Sequence, residues 1–330
     1  MSPPVGFIIL IALALSFSFL NGFQASAKIM ATMISSRAMT PRAALLIAAV
    51  AEFLGPFMLG VAVARLIAEG VAAPAVFSAA MVIAALLSAN LWNLLTWYLG
   101  IPSSSSHALI GGIIGAVVAG AGVEMIRMDG VWAIALALLS SPIIGFFGGY
   151  VVMRITLWLA RGATPKVNLF FKRAQLPTAI ALAFSYGAND AQKTMGVITL
   201  GLVVLGYQAR FVVLWWVVLI SATSLAIGTA IGGWRIIRTL GAKLYRIRPI
   251  HGFTSQFTSG TVVLAASLLG GPVSTTHTVS TSILGVGAAE RKSQVRWGVM
   301  TEILIAWLFT VPITAGLAAL FYFAIGTLLA

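Results

Sequence analysis

The sequence predicts an all-α polytopic membrane protein made of two inverted-topology repeats, with broken helices and paired helical-hairpin segments. Of its 330 residues, 60% are hydrophobic and 8% are charged, whereas a soluble domain carries about 25% charged residues. Its mean hydropathy is +1.04, and many apolar runs reach the roughly 20 residues that a transmembrane helix needs. Residues 99–116 (LGIPSSSSHALIGGIIGA) also align with residues 269–288 (LGGPVSTTHTVSTSILGVGA). Composition therefore predicts the class, and the internal repeat predicts the architecture.

The apolar segments predict the helices in chain order. Polar residues interrupt the first segment at 21–22 and a later one at Gly187, Asn189 and Asp190, and a Gly55–Pro56 pair interrupts the second. We expect a broken helix at each interruption. The predicted spans cover residues 5–33, 43–66, 74–98, 108–122, 131–159, 176–205, 211–233, 253–269, 273–289 and 297–329.

The cations of the chain predict its orientation. The net charge is +13, and the links at 35–42, 154–173, 234–248 and 290–296 hold fifteen lysines and arginines, against three in the alternate links. The positive-inside rule assigns the first set to the cytoplasm. Both termini of this multi-pass protein of the cytoplasmic membrane are then outside. Residues 1–160 and 176–330 become inverted repeats around a cytoplasmic basic linker at 161–175, as in many secondary transporters.

The same distribution decides which partners are predicted. Cations placed between apolar spans indicate a lipid bilayer and argue against nucleic acid. The chain has no cysteine, which excludes disulfides and thiolate metal sites. Trp92, Trp97, Trp215 and Trp216 are predicted to lie at the membrane interface, and residues 234–248 to form an interfacial basic helix. A homo-oligomer is left open.

Two polar corners stand directly before apolar helices: the first is residues 102–107 (PSSSSH) and the second is residues 272–277 (PVSTTH). Each joins a proline to several hydroxyls and a histidine, which is typical of a helix N-cap. A helix N-terminus attracts oxyanions, so two termini from opposite sides predict a cage for a tetrahedral oxyanion. His107 and His277 are candidate ligands or proton carriers, or they hold the corners by hydrogen bonds. The candidate binding hydroxyls belong to Ser104, Ser105, Ser106, Ser274, Thr275 and Thr276.

Charged residues also occur inside the apolar segments. Residues 22–28 (GFQASAK) align with 187–193 (GANDAQK), which pairs Lys28 with Lys193 and places Ala25 opposite Asp190. Since a charge at membrane depth costs about 3 kcal/mol on insertion scales, we expect these residues to line a polar site. The alternative is a buried Asp190–Lys193 pair that only joins helices.

Two further acids lie in predicted spans. A buried lysine needs a partner or loses its proton, and Glu52 is the candidate partner of Lys28. Glu302 lies close to the basic end of the last span, so we expect it to be structural.

Four motifs closely resemble the inorganic phosphate transporter (PiT) family, and the resemblance runs nearly end to end. They are WNLLTWYLGIPSSSSHALIGG at 92–112, GANDAQKTMG at 187–196, GTAIGGWRIIRTLG at 228–241 and PVSTTH at 272–277. The resemblance implies a secondary active transporter that imports inorganic phosphate by proton or sodium symport with alternating access, with no other cofactor.

The resemblance also implies which residues meet the substrate and the ion. Asn189, Asp190 and Gln192, with the corner hydroxyls, match positions that the family uses for phosphate or coupling ions. We assign ion coupling to Asp190, Asn189 and Glu52, with a sodium ion at Asn189 and Asp190 if sodium is used. The predicted substrate site further includes Gln24, Lys28 and Lys193.

One motif departs from the family. Its first copy usually reads NGFHDAANA, whereas residues 21–29 read NGFQASAKI, so that Ala25 replaces the acid and Lys28 an asparagine. We therefore expect a changed or missing cation requirement, or proton coupling through Asp190 and Glu52. A permease for sulfate or another oxyanion, and an uncoupled anion facilitator, are the alternatives. An intramembrane hydrolase is the alternative from another class. The duplicated Ser–His corner, the absence of a G-x-S-x-G elbow and the lack of an acid near either histidine in the sequence argue against it.

Overall fold

The computed structural model describes residues 3–36, 38–232 and 247–329, which form α-helices and contain no strand. The predicted all-α class is confirmed. Most of the predicted interfacial helix at 234–248 lies outside the described residues. The eleven described helices are α1 (Pro3–Ser35), α2 (Pro41–Leu54), α3 (Ala62–Glu69), α4 (Ala79–Leu99), α5 (Ser105–Ala121), α6 (Met128–Leu159), α7 (Val167–Val204), α8 (Trp215–Ile231), α9 (Pro249–Leu268), α10 (Thr275–Arg291) and α11 (Trp297–Leu329).

Several helices can cross a membrane by length and composition. Among the described residues four qualify, within α1, α4, α6 and α11, and a fifth span arises if α2 and α3 are counted together. The chain bends by 76° between those two helices. A 3₁₀ turn at Gly55–Phe57 begins this bend, so the predicted interruption at Gly55 and Pro56 is confirmed.

The other two predicted breaks are wrong, because α1 and α7 run without interruption through residues 21–22 and 187–190. Their glycines serve close packing instead. A Cβ atom at Gly187 would lie 2.6 Å from the Cα atom of Glu52 in α2, and one at Gly22 would lie 3.1 Å from the Cα atom of Leu225 in α8. Small residues let membrane helices approach in this way. Helix α7 also begins at Val167, inside the predicted linker.

The two predicted hairpins are present, and each packs against the other half of the chain. Helices α4 and α5 form the first hairpin, and α9 and α10 the second. Helix α5 then packs on α11, where a Cβ at Gly111 would lie 3.0 Å from the Cα of Val311. Helix α10 packs on α6 in the same way, with Gly149 against Ser282. The two predicted repeats therefore interlock, while their opposite direction across the membrane stays a prediction.

Candidate functional site

The structure brings the two predicted corners together in the protein interior. Ser104 and Ser274 cap α5 and α10, and each hydroxyl accepts the backbone N–H of the histidine three residues on, at 3.3 Å. The rings of His107 and His277 lie 4.6 Å apart between centroids. The first-turn N–H groups of a helix have no partner within the helix. Two such termini therefore lie side by side, each with its hydroxyls.

Each corner is fastened to the backbone of the other. The Ser106 hydroxyl donates to the carbonyl oxygen of Val273 at 3.0 Å, and the Thr276 hydroxyl donates to that of Ser103 at 2.8 Å. These four residues occupy equivalent positions in the two corners. All the corner hydroxyls are buried, with at most 2% of each residue exposed. The corners are therefore closed to solvent and locked by a reciprocal pair of bonds.

Removing one of these hydrogen bonds should weaken the contact between the two corners. In Ser106→Ala or Thr276→Val a buried carbonyl loses its donor, which costs about 1 kcal/mol or somewhat more per bond. We expect a matching loss of thermal stability in detergent and slower transport. Thr276→Ser is the matched control because it keeps the hydroxyl. Variants with the melting temperature and the transport rate of wild type would show that these two hydrogen bonds contribute neither to stability nor to transport.

Two tryptophans support the corners. Trp92 donates its indole N–H to the Ser103 hydroxyl, and Trp307 donates to the Pro102 carbonyl, each at 2.9 Å. The predicted interface position of Trp92 is wrong, because its neighbours bury it, whereas Trp215 is 76% exposed. His277 stacks on Trp307 with centroids 3.5 Å apart.

Both histidines hold the corners in this structure. His107 Nδ1 lies 2.8 Å from the hydroxyl of Ser104, the residue that caps its helix. The stacking of His277 on Trp307 likewise ties α10 to α11. Of the alternatives that the sequence left open, these contacts favour support of the corners.

Asp190 connects α7 to the second corner. Its carboxylate forms the predicted ion pair with Lys193 and accepts a hydrogen bond from the Thr275 hydroxyl at 3.2 Å. Both charged side chains are buried, with at most 1% exposed. Tyr186, one turn earlier, donates to the backbone carbonyl of Thr275 at 3.0 Å. The first residue of α10 is thus held by α7 through two bonds.

Asn189 and Gln192 position the elements around this acid. Asn189 donates to the Ser267 hydroxyl at 2.9 Å and to the Gly271 carbonyl at 3.3 Å, which fixes the turn before α10. The side-chain oxygen of Gln192 accepts the backbone N–H groups of Val63 and Ala64, at 3.0 and 3.3 Å. Gln192 therefore caps the start of α3, a partner that its sequence position does not reveal.

The first corner meets a neutral amide where the second meets a carboxylate. The Ser105 hydroxyl, equivalent to that of Thr275, donates to the side-chain oxygen of Asn21 at 2.8 Å. Ala25 is fully buried, and Gln24 donates to the Asn93 carbonyl at 2.8 Å. The first motif lacks the acid of the second. As a result, the first corner bonds to a neutral amide and the second corner to a charged carboxylate.

Glu52 is the other buried acid among the predicted coupling residues. It accepts a hydrogen bond from the Thr229 hydroxyl of α8, and that hydroxyl also lies 2.8 Å from the Gly22 carbonyl of α1. The acid thus lies where α1, α2 and α8 meet. The side chains of Lys28 and Glu302 lie outside the described residues, so the predicted Lys28–Glu52 pair and the structural role of Glu302 stay predictions.

Comparison with known proteins identifies the family. Residues 21–166 and 159–318 each match the model of the Phosphate transporter family. The chain belongs to this family. A Bacillus subtilis protein described as a "probable low-affinity inorganic phosphate transporter" is 42% identical over 320 residues, which cover 96% of each chain. A Rhizobium meliloti protein of the same description is 42% identical over 317 residues, covering 96% of this chain and 95% of the relative.

A solved structure is also similar. "The sodium-dependent phosphate transporter" matches with a TM-score of 0.88 over 98% of this chain and 99% of that chain, at 26% identity. The family resemblance read from the four motifs is thereby confirmed, as is the prediction of a multi-pass membrane transporter rather than an enzyme.

Several residues that contact the site in this member of the phosphate transporter family could not be predicted from the sequence. Trp307 lies in an apolar helix and Thr229 in a glycine-rich one, and neither context signals a buried polar contact. Asn21 carried a signal, since a polar side chain within an apolar span usually faces a polar site. Its position beside a glycine indicated a helix break instead.

Proposed function

We propose that this chain imports inorganic phosphate by symport with a cation, through alternating access to a site between the two corners. The observation that carries the proposal is the reciprocal pair of bonds from Ser106 and Thr276, which places two helix N-termini and their hydroxyls in one buried locus. Helix termini favour an anion through free N–H groups and partial positive charge. The phosphate named in the family and in its relatives fits this chemistry.

The proposed binding step exchanges hydrogen bonds within the corners. The hydroxyls of residues 104–106 and 274–276 donate to phosphate oxygens, in place of the carbonyls that Ser106 and Thr276 now meet. Lys193 and Lys28 supply positive charge from α7 and α1. Asn189 and Gln24 hold the surrounding backbone, and Gln192 holds α3. Opening one side of the cage then requires the corners to separate.

We assign coupling to the proton, with Asp190 and Glu52 as its carriers. Each carboxylate is buried and meets a hydroxyl, that of Thr275 or Thr229. The Lys193 ammonium already pairs with Asp190, and the first motif has Ala25 where the family has an acid. Both features disfavour a strict sodium requirement. Sodium held by Asn189 and Asp190 is the alternative, supported by the sodium-dependent structural neighbour.

Reconstituted uptake tests the proposal. Purified protein in sealed vesicles receives labelled phosphate while pH and sodium gradients are imposed separately. We expect accumulation above equilibrium under an inward proton gradient, with less than about a twofold change in rate when choline replaces sodium. A strict need for sodium would assign the sodium alternative. Equilibration without accumulation under either gradient would establish an uncoupled facilitator.

The same vesicles decide which anion is carried. We expect unlabelled phosphate to compete with labelled phosphate, and an equal concentration of sulfate to compete weakly. The names of the relatives support phosphate, whereas a cage of hydroxyls and N–H groups does not by itself exclude sulfate. Stronger competition by sulfate would overturn the assignment of the substrate and leave the transport class intact.

A further inference from the structure

A cavity of about 660 Å³ opens beside α3, apart from the two corners. Its walls come from α3 and from the link into α6, and they carry the charged residues Arg65, Glu69, Arg127 and Asp129. These residues belong to the links at 65–74 and 123–130, which the charge distribution predicts to be extracellular. The cavity is therefore a charged recess on the predicted outer face.

The cavity holds two arginines whose charge no carboxylate neutralises directly. Among the ion pairs of the described residues, none involves Arg65 or Arg127, although Arg65 and Glu69 stand four residues apart on α3, a spacing that often forms a pair. Both arginines are exposed to solvent. Asp129 lies in the first turn of α6, where the positive end of the helix dipole offsets part of its charge.

The walls of the cavity hold Arg127 in place. Its guanidinium Nη1 donates to the Glu69 carbonyl at 3.3 Å, and its backbone N–H donates to the Val71 carbonyl at 2.8 Å. Gly130 packs directly against the backbone of Gly70. The link before α6 is thus fastened to the end of α3, and the guanidinium is fixed at the cavity wall.

The inner wall of the cavity borders the second corner. Ala62 lines the cavity, and a Cβ atom at Gly270 would lie 3.0 Å from the Cβ atom of Ala62. Gly270 precedes Gly271, whose carbonyl Asn189 holds. Gln192, one turn after Ala188 on α7, caps the adjacent N–H groups of Val63 and Ala64. Only the start of α3 therefore separates the recess from the turn that leads into α10.

We propose that this cavity is an outer vestibule, in which Arg65 and Arg127 collect the oxyanion before it reaches the corners. The proposal rests on the transport function proposed above and adds a second anion site to it. The four charges of the lining sum to zero, so the attraction is local: an oxyanion is drawn to the two guanidinium groups, which form no ion pair with Glu69 or Asp129. The effect weakens with salt, since the Debye length is about 10 Å at 0.1 M ionic strength.

The proposal is tested by removing the positive charge of Arg65 and measuring the KM for phosphate. For Arg65→Gln we expect the KM for phosphate at low ionic strength to rise about threefold to tenfold, with kcat within about twofold of wild type, because binding and not the translocation step is affected. The rise should shrink at high salt. Arg210→Gln is the matched control, an exposed arginine on the same predicted face that does not line the cavity. For Asp129→Asn we expect KM to fall.

The absence of cysteine from the sequence makes the test sharper. Arg65→Cys provides a unique thiol for membrane-impermeant methanethiosulfonate reagents added to intact cells. We expect a cationic reagent to restore a low KM and an anionic reagent to raise it further, with no such split for Arg210→Cys. Because these reagents do not cross the membrane, a KM that depends on their charge would also support the location of residue 65 on the outer face.

Two results would overturn the proposal that the cavity is an outer vestibule. One is a KM for Arg65→Gln that equals that of wild type and Arg210→Gln, and the other is a loss of kcat alone. Arg127→Gln, checked for an unchanged melting temperature, must shift KM in the same direction as Arg65→Gln. Wild-type vesicles that transport no oxyanion would instead refute the proposed function, and the vestibule with it.

Discussion

Vesicles that contain Asp190→Asn are expected to accumulate no phosphate above equilibrium under any imposed gradient. The substitution removes a buried carboxylate that pairs with Lys193 and meets the hydroxyl of Thr275. It leaves the Lys193 charge without its partner, which costs about 3–5 kcal/mol when a buried pair is broken. Labelled uptake and thermal melting of the same preparation give the two readouts. Wild-type accumulation would refute the coupling role.

The double variant Asp190→Asn/Lys193→Gln separates coupling from folding. It removes both charges together, so that neither is left buried without a partner, which is the costly state. We expect this variant to melt near wild type and still fail to accumulate phosphate. If it accumulates phosphate normally, the pair only joins turns of α7, which is the alternative that the sequence left open.

Gly187→Ala is expected to lower the stability of the folded protein strongly. The new Cβ would lie 2.6 Å from the Cα atom of Glu52, closer than carbon atoms pack. Helix α2 and helix α7 would have to separate. Overpacking of this kind costs about 1–3 kcal/mol, and we expect the upper end because the obstacle is backbone. The melting temperature in detergent measures it.

Gly316→Ala is the matched control. It also lies within a membrane helix, α11, but a Cβ there would meet no atom within 4 Å. We expect unchanged stability, or a gain of up to about 1 kcal/mol from the better helix propensity of alanine. Equal melting of the Gly187 and Gly316 variants would show that α2 and α7 do not pack as closely as the structure has them.

The corners could be predicted from the sequence because their chemistry is local. A proline followed by hydroxyls marks a helix start whatever surrounds it, and Ser104 and Ser274 cap their helices as expected. The partners of the next hydroxyls could not be predicted. Ser106 donates to a carbonyl 167 residues away, and nothing near Ser106 in the chain specifies that acceptor.

The two helix breaks predicted in α1 and α7 are wrong for one physical reason. Glycine is compatible both with a break in a helix and with the close approach of another backbone, and the sequence around Gly22 and Gly187 does not distinguish the two. The neighbours Leu225 and Glu52 decide it. The burial of Trp92 is a separate case, because its partner Ser103 belongs to the corner that follows α4. Contacts between distant segments convert polar or bulky residues into interior ones, and a single sequence does not record them.

The packing of each hairpin on the opposite half has a consequence for biosynthesis. Helix α5 leaves the ribosome long before α11, the helix against which its glycine-rich face packs. Contacts of such high sequence separation form late in folding. Until α11 is inserted, that face must rest against lipid or against insertion factors. Helix α11 therefore completes the structure around α5, and a nascent chain that stops short of α11 has no mature first corner.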